Sequence, residues 1–156
     1  MLRLPLSYIL IRTFPESIVI ILAGMILLGI KIDIKDLIKK GIFLGAVITA
    51  IRMLPINFGV HTILAMIAVA FILYKSCGKQ LVKSIVATCC IWISLALSEG
   101  IYILIATKIL NIPFKYLTNT RAYGAIITLP SLLILVGVAI LIKLVMNKLN
   151  ILLARD

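Results

Sequence analysis

The chain has 156 residues, 63% of them hydrophobic, and a mean hydropathy of +1.26. Ordinary soluble domains are about 45–50% apolar, so this composition excludes a water-soluble fold of the same size; a bundle that faces lipid has no such surface to hide. The net charge of +11 comes from 16 Lys and Arg against 5 Asp and Glu, but the cations lie in short segments between apolar runs. That placement reads as topology-setting charge rather than a nucleic-acid surface, since no basic patch interleaved with aromatics is present.

The expected fold is all-α: one polytopic transmembrane domain over residues 1–156, with five helical spans. A helix crossing the hydrocarbon core needs about 20 mostly apolar residues, or about 17 at the short end. The first span covers residues 14–30, with Pro15 suited to a first helical turn. Residues 4–11 ahead of it are apolar but short, bounded by Arg3 and Arg12, and either lie at the interface or lengthen the span. A signal peptide is disfavoured, because the run is long, is followed by Lys31 and Asp33, and has no clear small-x-small cleavage site.

Residues 31–40 alternate apolar and charged side chains, which suits an interfacial helix or a loop. The second span, residues 41–54, is short and ends at Arg52 and Pro55. The stretch Pro55-Ile56-Asn57-Phe58-Gly59 breaks the helix. The third span, residues 60–74, is also short, so the two form a tight hairpin or a re-entrant pair. After a loop with three lysines, the fourth span (84–107) is the longest and is interrupted only by Glu99. A connector holding Pro113, Lys115, Asn119 and Arg121 leads to the fifth span (125–146), with Pro130 inside it. There is no internal repeat and no low-complexity linker.

With the N-terminus outside, the inner segments carry ten cations: Lys31, Lys35, Lys39, Lys40, Lys75, Lys79, Lys83, Lys143, Lys148 and Arg155. The outer segments carry six: Arg3, Arg12, Arg52, Lys108, Lys115 and Arg121. The balance places the chain in the cell membrane, N-terminus outside and C-terminus cytoplasmic. Lys143 is expected to snorkel toward the inner side.

Chemistry-bearing side chains gather toward one membrane face. Glu16 starts the first span, Arg52, Asn57 and His61 flank the break, and Glu99 lies in the outer half of the fourth span. Gly41, Gly45, Thr49 and Arg52 share one helical face, and the GxxxG pair permits close helix approach. Ala87, Cys90, Ser94 and Ser98 line a small-residue side of the fourth span, with Glu99 at its edge. Intramembrane charges are costly and are commonly paired or functional. Two readings follow: a polar outer-leaflet pocket, with Glu99 and Arg52 paired and His61 nearby as a ligand or pH-sensing group, or a Glu99–Arg52 pair that only pins the bundle. Glu16 is expected to be solvated at the interface, and His61 to cap its helix or face water.

Enzyme motifs are missing. A single His rules out a His-based metal cluster, no CxxC occurs, and Asp33 and Asp36 fall in a connector. Cys77, Cys89 and Cys90 read as small apolar fillers. No metal, cofactor or nucleic acid is called for, and the direct partner is the bilayer.

The stretch Arg52-Met53-Leu54-Pro55-Ile56-Asn57-Phe58-Gly59-Val60-His61-Thr62-Ile63-Leu64, with Ser98-Glu99-Gly100-Ile101-Tyr102, resembles the multi-span N-terminal membrane region of bacterial sensor histidine kinases of the sporulation and peptide-sensing type. The resemblance implies a membrane region that receives a signal and passes it to a cytoplasmic kinase module. This sequence departs from that plan after Met146, where ten residues hold no phosphoacceptor segment and no ATP-binding domain, and His61 does not stand in for one. A stand-alone relative, a partner of a separate histidine kinase and a decayed copy all fit. The competing readings are a substrate-binding component of a vitamin-type transporter, whose binding site broken helices would suit, and a non-catalytic membrane partner or assembly protein.

Overall fold

Beyond Glu16, the run to Leu28 carries no charge, and Pro15 sits in the first turn, where its missing N–H has no intrahelical partner to lose. This segment forms helix α1 (Phe14–Leu28). The computed structural model describes residues 9–54, 58–113 and 122–153. A π-helical turn, Ile9–Thr13, leads directly into α1, so this end of the apolar stretch before Arg12 lengthens the first span, while residues 4–8 lie outside the described residues. Helix α1 stops at Gly29, whose left-handed φ of 68° lets its N–H reach Ile26 O while the Ile30 N–H reaches Met25 O. A side chain there would strain the backbone.

The charged segment after Gly29 is mostly helix, not loop. Asp33 accepts the Lys35 N–H at 3.1 Å and caps α2 (Ile34–Met53), a standard role for a side chain that competes for backbone donors. Helices α3 (Phe58–Ser76) and α4 (Leu81–Lys108) follow, then the short α5 (Ala122–Thr128) and α6 (Pro130–Leu153). The Pro55–Asn57 part of the expected break lies outside the described residues, as do Lys115, Asn119 and Arg121.

Residues 125–146 do not form one helix. The Pro130 ring cannot continue α5, and the chain turns at Leu129, whose N–H bonds Ile126 O at 3.2 Å. Tyr102 of α4 donates its hydroxyl to the Ile127 carbonyl beside this break, and Ser131 donates to Thr128 O at 2.8 Å.

Among the described residues, four stretches are long and apolar enough to cross a membrane: Ile11–Leu28, Gly59–Ser76, Leu81–Lys108 and Gly124–Lys148. The chain is therefore a multi-pass integral membrane protein. A fifth span was expected in α2. That helix has the length, but Lys35, Asp36, Lys39 and Lys40 crowd its first two turns.

Helix α1 occupies the centre and packs against α2, α3, α4 and α6. Its span is 44% buried, against 17% for the peripheral α3. Ile21, Met25, Leu44, Leu73, Ile91 and Leu135 fill the interior. The GxxxG expectation is met at the α1–α2 contact. A Cβ on Gly41 would lie 2.5 Å from Ile18 Cγ1 and 2.8 Å from Ile18 Cα, and one on Gly45 would lie 2.9 Å from the Phe14 ring. Only hydrogen fits between backbones this close. Outward faces are apolar, with Ile63, Ile67, Phe71, Ile93, Leu104, Leu133 and Leu141 exposed, as a lipid-facing surface requires.

These contacts order the two ends of the bundle. One end gathers the start of α1, the end of α2, the start of α3, the second half of α4 and the α5–α6 break. The other gathers the end of α1, the start of α2, the α3–α4 turn and the last turns of α6.

Candidate functional site

The π turn sets two adjacent polar residues, Arg12 and Thr13, at the first of these ends. A π turn widens the helix by one residue and recurs at functional positions. The Arg12 guanidinium is only 15% exposed and serves three helices. One terminal nitrogen donates to Glu99 Oε1 of α4 at 2.5 Å, the other donates to Thr128 Oγ1 of α5, and Nε lies 3.8 Å from Glu16 Oε2 of α1. The fixed fork of donors on Arg suits it to join several acceptors at once.

Thr13 extends the junction to α2. Its hydroxyl oxygen accepts from Arg52 at 2.9 Å, and its carbonyl accepts from Ser17 Oγ at 2.7 Å. Thr128 donates to Gly124 O at 2.8 Å while it accepts from Arg12. Arg12 and Glu16 are largely buried and face each other, the condition under which charge is tolerated inside a bundle, while Arg52 and Glu99 keep exposed surface at its rim.

Of the residues singled out in the sequence, Glu99, Arg52 and Glu16 meet in this junction. The expected Glu99–Arg52 pair is replaced by Glu99–Arg12. Helix α1 lies between α2 and α4, so Arg52 reaches the lead-in turn of α1 and not Glu99. Glu16 is not solvated: its side chain is 13% exposed and faces Arg12. His61 sits half-buried in the first turn of α3, at the same end. Asn57 lies outside the described residues.

Arg12, Thr13 and Thr128 were not singled out. Arg12 had marked only the edge of an apolar stretch. Its spacing of four from Glu16, which places both on one helical face, was the available signal.

No family model matches the chain, and neither does any curated protein or solved structure.

The junction offers charge and hydrogen-bond donors, not covalent chemistry. Its hydroxyls are held by backbone carbonyls and arginines, with no nucleophile–base pairing among Arg12, Thr13, Glu16, Arg52, Glu99 and Thr128. Glu99, with a side chain 41% exposed, is the most accessible acid of the cluster. Whatever competes for Glu99 or Arg12 acts at once on the π turn, α4 and α5.

At the opposite end, Lys40 bonds Asp36 at 2.5 Å and Ser76 Oγ at 2.8 Å, tying α2 to α3. Lys143 of α6 donates to the Leu27 carbonyl at 2.9 Å, so its ammonium stays on the last turn of α1. A cation there satisfies an orphan carbonyl and the helix dipole together.

Proposed function

We propose that the chain is a signal-sensing membrane module in which the Arg12–Glu99 junction is the responsive element. One observation carries this reading: Arg12 alone joins the π turn, α1, α4 and α5 through Glu16, Glu99 and Thr128. A ligand or membrane-borne cue that competes for Glu99 releases several helices together, which is what a two-state element requires. The resemblance to sensor-kinase membrane regions supports a separate histidine kinase as the recipient of the signal. The lysine-rich opposite end supports an orientation with that end cytoplasmic and the junction outside.

The test is genetic. Loss of the chain in its source cell is expected to abolish a defined transcriptional response, restored by the wild-type chain and not by an Arg12→Gln variant inserted to the same level. A loss that changes uptake of a solute while leaving transcription unaltered overturns the proposal in favour of a transport component.

A further inference from the structure

The lysine-rich end presents a surface that the junction does not use. In α2, Leu37, Gly41 and Leu44 turn inward. The other side of its first turns exposes two adjacent stripes. One is Ile34, Ile38 and Ile42, at 69%, 44% and 49% exposure. The other is Lys35 and Lys39, both exposed, with Lys31 just ahead of them. Residues 31–35 also line an open surface recess.

Both acids of the segment are already engaged. Asp36 binds Lys40 at 2.5 Å, and Asp33 caps the helix through the Lys35 N–H at 3.1 Å. Lys31, Lys35 and Lys39 have no acidic partner among the described residues. Other lysines have an engaged role: Lys40 of the same helix on Asp36 and Ser76, Lys143 on Leu27 O, and Lys75 over the Phe71 ring.

We propose that residues 31–42 form a binding surface for the headgroups of anionic phospholipids in the leaflet at this end. The isoleucine stripe enters the acyl boundary, as in an interfacial amphipathic helix. The lysine stems run along that apolar surface and carry their ammonium groups up to the phosphodiester plane. A soluble anion would explain the lysines and leave the three exposed isoleucines without a role, so the occupant is the lipid.

The experiment uses the full chain in phosphatidylcholine bilayers containing a minor share of phosphatidylglycerol, with a spin label on one lipid or the other. The motionally restricted fraction gives the relative association of the two headgroups. The wild-type chain is expected to favour phosphatidylglycerol by about threefold or more, given the attraction of each juxtamembrane lysine to an anionic surface. Added salt is expected to reduce that preference. The triple variant Lys31→Gln, Lys35→Gln, Lys39→Gln is expected to bring it close to parity, and the corresponding Lys→Arg triple to retain it. Equal association of both lipids with the wild type overturns the proposal, as does a preference that survives the Gln triple. Loss of the preference on adding inorganic phosphate at matched ionic strength also overturns it, and assigns the lysines to a free anion.

Discussion

At one end of the bundle, Arg12 turns inward, where Glu16, Glu99 and Thr128 receive it, and the exposed Arg52 reaches Thr13 beside it. At the other, Lys31, Lys35 and Lys39 stay on the surface and the two aspartates are bound within their own helix. The same formal charge therefore does different work. Inside the bundle it is locked into geometry by a planar group with several donors; at the rim it is a flexible ammonium open to the headgroups. Charge position, not charge count, separates a structural junction from a membrane-facing surface.

The widest gap between the two ends is expected from Arg12→Ala, which strips three partners and removes the ion-pair partner of the buried Glu16, at a cost of about 3 kcal/mol. Lys39→Ala at the rim is expected to stay within about 0.5 kcal/mol. Reversible unfolding in mixed micelles measures both, and equal costs would erase the distinction. Next in size is a packing control. Gly41→Ala drives a methyl into the Ile18 backbone and is expected to cost about 1–3 kcal/mol. Gly59→Ala, with nothing within 4 Å of the new carbon, is expected to be neutral or stabilising. A large cost at Gly59 would show that packing, and not charge, sets the difference between regions.

A double-mutant cycle then sharpens the view of the junction. Arg12→Gln with Glu99→Gln is expected to give a coupling energy of about 1–2 kcal/mol, larger than that of Arg52→Gln with Glu99→Gln. The reverse order would restore the pairing expected from sequence. A smaller loss is expected from Lys143→Met, which removes one hydrogen bond to Leu27 O and costs about 1 kcal/mol; a change of several kcal/mol would make the lysine end structural too.

Much of the fold was legible because lipid exposure leaves long apolar runs, and a small-residue spacing of four marks a close helix contact whatever the partner. The α1–α2 seam at Gly41 and Gly45 is of this kind. The onset of α2 was legible only as one of two options, an interfacial helix or a loop, because alternating Ile and Lys fits both and the capping role of Asp33 depends on backbone geometry. Pro130 was placed inside a continuous fifth span, since an apolar run through proline can continue as one kinked helix, and only the Leu129 turn decides otherwise. In the junction, Glu99 was found because a carboxylate inside a long span stands out. Its partner was not, because a single sequence does not say which helix lies beside which. Arg52 and Arg12 were equally charged options, and the central position of α1 chose between them.

Two contacts between α1 and α6 with its lead-in have a mechanical consequence. Arg12 meets Thr128 at one end and Leu27 meets Lys143 at the other, and each contact joins residues 116 apart in the sequence. The two segments run parallel and in register, with rungs separated by roughly 20 Å of helix. A slide of one against the other would break both rungs at once, so this pair moves as a single beam. Helix α3 has the smallest buried share of the four spans, and the bond from Lys40 to Ser76 ties it to α2 rather than to this pair.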